Sequence, residues 1–202
     1  MTTYQGLLTD WGGVMTMSVF DAFADFGEEE GIGRDAVVET FSTEPKSREL
    51  LIGLETGTLP ESEFESGFAA LLGVAPENLI ERMLGRVAPN DRMRKAVATA
   101  RAEGVRTGLI SNSWGGATYP ENVADLFDGM VVSGEVGIRK PSREIYERGA
   151  AAIGLRPDQC VFIDDLPQNL TAARELGMAA IHHRDTDATL AELTRLLGVD
   201  LR

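Results

Sequence analysis

The stretch VFIDDLPQNLTAARELGMAAIH (residues 161–182) contains a complete strand–helix–strand pattern. The apolar run 161–164 is too short and too continuous for an amphipathic helix and suits a strand buried on both faces. Residues 167–176 begin at a proline, which fits the first helical turn, and stop at Gly177, which fits a helix end. A second apolar run, 179–182, follows. Two buried strands joined through a helix make a parallel βαβ unit.

The same grammar recurs along the chain. Apolar runs at 6–9, 107–111 and 130–133 end abruptly in polar or small residues. Residues 89–103 place Met93, Val97 and Ala100 on one helical face before Gly104, and 142–153 stop at Gly154. Alternating strands and helices predict an α/β fold with a doubly wound, Rossmann-like parallel sheet. Residues 16–88 break the pattern, because they contain no strand candidate. Ser18 with Asp21 has the form of a capping box opening a helix that Gly31 closes. Further helices are expected at 34–41, 47–53, 60–72 and 76–84. The expected division is a core of residues 1–15 and 89–202 with a helical insertion, 16–88, after the first strand. Phe20, Phe23, Phe26, Phe41, Phe64 and Phe68 at helical spacing are expected to form that insertion's own core.

Composition narrows the function. The chain has 202 residues and a net charge of −13, which disfavours nucleic acid as a partner, since a phosphate backbone demands clustered Lys and Arg. No window has the apolar length of a membrane span, and residues 1–20 lack the pattern of a signal peptide. The single cysteine, Cys160, excludes an internal disulfide and suits a reducing, cytoplasmic setting. Monomer and homodimer are equally compatible with the sequence.

In doubly wound sheets ligands bind beyond the carboxyl ends of the strands, near the switch in strand order. Those ends carry Asp10, then Ser111 and Asn112, then Asp164 and Asp165. Lys140, one of only three lysines, opens a helix in GIRKP and can reach the same crevice. Converging carboxylates repel one another unless a cation neutralises them, and an oxygen-only set without His or Cys points to Mg2+. Ser111, Asn112 and Lys140 would then bind phosphoryl oxygens, and a carboxylate beside the phosphoryl group can attack it to give an aspartyl-phosphate. Gly12 and Gly13 allow the backbone to approach metal and phosphate closely. His182 and His183 follow the last strand, where a structural or surface role is expected. Trp11 and Trp114 flank the nucleophile and the hydroxyl, so one of them is a candidate wall of the site.

Four segments in order, LLTDWGGV, GLISNS, VGIRKP and VFIDDLPQN, resemble the haloacid dehalogenase superfamily of hydrolases. The insertion is similar to that superfamily's small helical cap, and ETGTLPESEF (55–64) is similar to a turn that precedes a cap helix. FIDDLPQNLTAARELGMAAI resembles most closely the N-terminal phosphatase domain of bifunctional soluble epoxide hydrolases and its small bacterial relatives. The resemblance implies that Asp10 is the nucleophile and Ser111 the phosphate-binding hydroxyl. It implies that Lys140 steadies nucleophile and transferring group. Asp10, Asp164, Asp165 and the carbonyl of Gly12 would hold magnesium, with Asn169 orienting the metal loop. The substrate class implied is a small phosphorylated metabolite.

The departure is Gly12. Phosphatases of the superfamily usually have a second Asp there, which protonates the leaving group; losing such a group costs about 10²- to 10⁴-fold in rate. Three outcomes are open at this stage. The substrate's leaving group needs little protonation; or Thr16, Ser113 or a water replaces the acid; or the site binds phosphate without turnover. A further alternative puts carbon in place of phosphorus, as in 2-haloacid dehalogenases, which lack the second Asp but do not need the metal.

Overall fold

The computed structural model describes residues 4–114, 119–120 and 122–201. Its centre is a five-stranded sheet in the order β3-β2-β1-β4-β5, parallel at every pairing. The strands are β1 (Gly6–Thr9), β2 (Arg106–Ser111), β3 (Gly129–Val132), β4 (Cys160–Asp164) and β5 (Ala179–His182). They fall within a residue of the runs read from the sequence. The expectation of a parallel α/β sheet is met.

Period-two alternation sends neighbouring side chains to opposite faces. Leu7, Leu109, Val161, Ile163 and Ile181 pack on one face with α6 (Asp91–Ala102) and α10 (Thr186–Leu197). Leu8, Ile110, Cys160 and Phe162 pack on the other with α8 (Arg143–Ala152) and α9 (Pro167–Glu175). Both faces are covered, so the strand interiors are largely apolar and the carboxyl ends are the places for polar chemistry. Two helices were not among the sequence expectations: α10 and the single turn α7 (Ser133–Val136).

Between β1 and α6 lie α1 (Val19–Glu29), α2 (Ala36–Thr43), α3 (Pro45–Glu55), α4 (Glu61–Leu72) and α5 (Leu79–Leu84). Ser18 Oγ accepts a hydrogen bond from Asp21 N at 3.2 Å, the N-terminal half of the expected box. Helix α5 is shorter than the expected 76–84, because Asn78 takes a left-handed backbone (φ 50°) just before it. The five helices share one apolar cluster, in which Phe23, Phe26, Phe64 and Phe68 are buried and Phe41 stacks on Phe68 at 4.4 Å. Phe20 is the exception, about half exposed. The chain leaves and re-enters the sheet region side by side: Met17 N donates to Ala88 O at 2.8 Å and Asn90 N to Met15 O at 2.9 Å. Among the described residues no helix is long and apolar enough to cross a membrane.

Candidate active site

The strand order reverses between β1 and β4, so the crevice of a doubly wound sheet opens at their carboxyl ends. The register pairs Thr9 with Ile163, and Asp10 N donates to Ile163 O at 2.8 Å, which sets Asp10 beside the end of β4. Sheet pairing alone brings two acids together from positions far apart in the chain.

Lys140 joins them. Its Nζ lies 2.7 Å from Asp10 Oδ1 and 2.8 Å from Asp164 Oδ2, and its side chain is only 1% exposed. A buried ammonium is tolerable only when paired and hydrogen-bonded. Burial alone would depress its pKa, but Asp10 and Asp164 outweigh that effect and hold it above the usual lysine range. Asp10 Oδ1 also accepts from Trp11 N at 2.7 Å, while no donor among the described residues reaches Oδ2. Burial pushes the Asp10 carboxyl up to about 7, against the pull of Lys140 and with added repulsion from Asp164 and Asp165.

Asp164 is more heavily engaged than its neighbour. Leu166 N donates to its Oδ1 at 2.8 Å, and Asn169 Nδ2 lies 3.0 Å and 3.1 Å from its two oxygens. Tyr146 Oη in turn donates to Asn169 O at 2.9 Å. Asp165, half-buried, is pushed up to about 6 by burial first and by Asp164 second. Asp10, Asp164 and Asp165 each offer an oxygen within 4.8 Å of the others. With one ammonium among three carboxylates, the fully ionised centre has an excess of two negative charges. That donor set, all oxygen and short by two positive charges, fits a hard divalent cation. Gly13 keeps room for it: its φ is +68°, and a Cβ there would overlap Asp165 Oδ2.

The other expected residues are placed as follows. Ser111 closes β2 and is buried. Asn112 fastens the lysine loop: Lys140 N donates to its Oδ1 at 2.8 Å, and its Nδ2 lies 3.3 Å from both Lys140 O and Glu55 Oε2. All of its side-chain polar atoms are thus engaged within the protein. Thr16 Oγ1 accepts from Gly13 N at 3.1 Å and donates to Met17 O at 2.9 Å, so it too is engaged. Trp11 is buried in the core against Tyr119 (5.4 Å between ring centroids). Trp114 inserts among the rings of the helical insertion, 5.7 to 5.9 Å from Phe23, Phe64 and Phe41.

Two residues of this neighbourhood, Glu55 and Arg139, were not read from the sequence. Glu55, at the end of α3, forms an ion pair with Arg139 and is buried. Arg139 adjoins Lys140 in the quoted GIRKP, a signal that was available. His182, on the edge strand, has Nε2 2.9 Å from Asp165 O, while His183 Nδ1 meets Thr189 Oγ1 at 2.9 Å. Both histidines, expected in a structural or surface role, are hydrogen-bonded within the protein, His182 against the acidic loop itself.

A doubly wound sheet that gathers an aspartate, a buried lysine and an acidic pair at its switch point defines a Rossmann-like hydrolase. The chain belongs to the haloacid dehalogenase-like hydrolases, whose family pattern matches residues 4–177. It is 27% identical over 206 residues to the sesquiterpene phosphatase astK of Aspergillus oryzae, covering 98% of each chain. It is 30% identical over 145 residues to bifunctional epoxide hydrolase 2 of Sus scrofa, covering 68% of this chain and 26% of that protein. The chain therefore matches only about a quarter of the epoxide hydrolase's length. Among solved structures it is similar to a haloacid dehalogenase family enzyme, bt-2542 of Bacteroides thetaiotaomicron, crystallised with magnesium and inorganic phosphate. The TM-score is 0.63 at 22% identity, over 88% of this chain and 93% of that one.

Proposed function

We propose that the protein is a magnesium-dependent phosphatase of small phosphorylated metabolites, acting through an aspartyl-phosphate on Asp10. The observation that carries this reading is the centre itself: one buried lysine bridging Asp10 and Asp164, with Asp165 completing a cluster of ligand oxygens within 4.8 Å. The full-length likeness to a fungal phosphatase supports it, and so does the fold shared with an enzyme crystallised with magnesium and phosphate. An excess of negative charge argues against a metal-free attack on carbon, in which the third carboxylate has no task.

In this reading Asp10 and Asp165, with the carbonyl of Gly12, hold the ion, and Asp164 belongs to the same acidic set. Bound there, magnesium supplies positive charge that lowers repulsion between the carboxylates and the phosphoryl oxygens. Asp10 attacks phosphorus through a carboxylate oxygen; the ester P–O bond breaks and the leaving group departs with the electron pair. Lys140 keeps Asp10 ionised and oriented, and its positive charge faces the charge that develops in transfer. Ser111 binds a phosphoryl oxygen. Water then cleaves the aspartyl-phosphate, releasing phosphate and restoring Asp10. Residues 16–88 act as a cap over residues 1–15 and 89–202, hinged where segments 15–17 and 88–90 run side by side. A cytoplasmic setting belongs to the same reading, consistent with Cys160 as a buried free thiol.

Gly12 leaves the departing oxygen without the usual proton donor. A Cβ on Gly12 would lie 3.1 Å from Val19 Cγ2, so an apolar side chain from α1 crowds the place where an acid would begin. Substrates with stable leaving groups follow from this: anomeric sugar phosphates, acyl phosphates and aryl phosphates. The test is phosphate release from an aryl phosphate, with and without magnesium, by wild type and Asp10→Asn. Magnesium-dependent release by wild type alone is expected. Equal, metal-independent release by both ends the proposal. A panel of sugar, acyl, nucleotide and isoprenoid phosphates then ranks substrates.

A further inference from the structure

Beyond the Asp10 centre, Glu55 is the one other acid among the described residues that is buried. Its position is locally unfavourable. It ends α3, where the helix dipole disfavours a negative charge, and burial pushes its carboxyl upward despite the opposing pull of Arg139. Local rules broken at one residue point to a compensating task.

The contacts show what that task is. The Glu55 carboxylate pairs with Arg139 and lies 3.3 Å from Asn112 Nδ2. Asn112 in turn grips Lys140 by its backbone, accepting from Lys140 N at 2.8 Å. Ser133 Oγ donates to the Glu55 carbonyl, meeting one of the carbonyls that a helix end leaves open, and accepts from Ser113 N at 2.8 Å. Gly57 sits so close to Gly134 that a Cβ would overlap the Gly134 carbonyl oxygen. The end of α3 is therefore seated on the core by backbone contacts, and its carboxylate holds both residues that flank or fasten the catalytic lysine.

We infer that Glu55 is a positioning residue that makes the placement of Lys140 depend on the seating of the helical insertion. With α3 docked, Arg139 and Asn112 are both engaged and the lysine loop is fixed. With α3 lifted, Arg139 and Asn112 Nδ2 lose the Glu55 carboxylate, and the lysine loop is left held only by Asn112 and by the pairing of Lys140 with Asp10 and Asp164. The kinetic part of this inference rests on the phosphatase reading; the positional part does not.

The experiment compares wild type, Glu55→Ala and the milder Glu55→Gln with phenyl phosphate and magnesium, alongside backbone hydrogen exchange. A misplacement of about 1 Å costs roughly 10²-fold, so Glu55→Ala is expected to lower kcat by about 10- to 100-fold with KM within about 3-fold. Glu55→Gln, which retains an oxygen for Asn112, should lose less. The Lys140 amide should exchange at least about 10-fold faster in Glu55→Ala, while amides of β1 and β4 keep their protection. If Glu55→Ala fails to fold, the same two readings on Glu55→Gln decide. An unchanged Lys140 exchange rate, or an effect confined to KM, overturns the inference. If wild type releases no phosphate, the phosphatase reading falls and the exchange result alone decides the positional claim.

Discussion

Asp10 and Asp165, packed beside Lys140 and Asp164, set how the protein responds to pH and metal. Burial pushes Asp10 up to about 7 and Asp165 up to about 6, from an ordinary value of 3.8. An acid whose pKa rises on folding binds more protons in the native state between those values. Its stabilising contribution is therefore complete below the unfolded value and is lost as pH climbs through the folded value. The metal-free protein is expected to have a higher Tm near about pH 5 than near about pH 8. Magnesium competes with those protons, so it should raise Tm more at the higher pH. Thermal melts in chelator and in magnesium at both pH values check this; a metal-free Tm that increases from the lower to the higher pH contradicts it. The three acids were legible in the sequence because they sit at the ends of apolar runs, and Lys140 because it is one of only three lysines. Glu55 was not, and for His182 only a structural or surface role was, because what defines them is a partner far along the chain: Asn112 is 57 positions from Glu55, and Asp165 is 17 from His182. A carboxylate on a helix end and a histidine on an edge strand carry no local mark of such contacts.

At the level of elements, the parallel strands were readable to within a residue because both faces are covered, which makes each a continuous apolar run. Helix ends were readable where glycine takes a left-handed backbone, as at Gly154 and Gly177, with φ of 74° and 85°. Helix α10 went unread because it lies beyond the last strand, where no second apolar run closes a βαβ unit around it. The meeting of the β1 loop with α1 was not readable at all, and it bears on chemistry. Val19, the first residue of α1, crowds the Cβ position of Gly12 at 3.1 Å. An acid at position 12 is therefore best restored together with a smaller residue at 19. Gly12→Asp with Val19→Ala is expected to raise kcat/KM for an alkyl phosphate by about 10²-fold, the lower end of what a positioned acid supplies. An aryl phosphate, whose leaving group needs no proton, should respond little. Wild type should discriminate steeply between the two. A wild type that cleaves both with equal kcat/KM would mean that another group already delivers the proton.

For the whole molecule, the question is how firmly the helical insertion is bound to the sheet. It has its own apolar cluster, and the chain enters and leaves it through adjacent segments at 15–17 and 88–90, so it has the form of a separate cooperative unit. The side-chain ties of the insertion to the core run through the end of α3 and the loop after β2. Polar contacts join Glu55 to Arg139, Asn112 and Ser133, and Trp114 from the loop after β2 sits among Phe23, Phe41 and Phe64. Trp114 is only three residues beyond Ser111, so the loop that would bind phosphate is anchored in the insertion's own core. Truncating a buried aromatic costs about 3–5 kcal/mol when the site is fully enclosed. Trp114 is half-buried, so Trp114→Ala is expected to cost roughly 2–3 kcal/mol. That loss should fall unevenly. Amides of α1, α4 and α5 should exchange at least about 10-fold faster, while those of β1 and β4 hold, since a unit with few ties can open without the sheet. Limited proteolysis should then cut first in the paired segments around 15–17 and 88–90. Equal loss of protection in sheet and insertion would mean that the two unfold together, leaving no independent closing motion for Glu55 to sense.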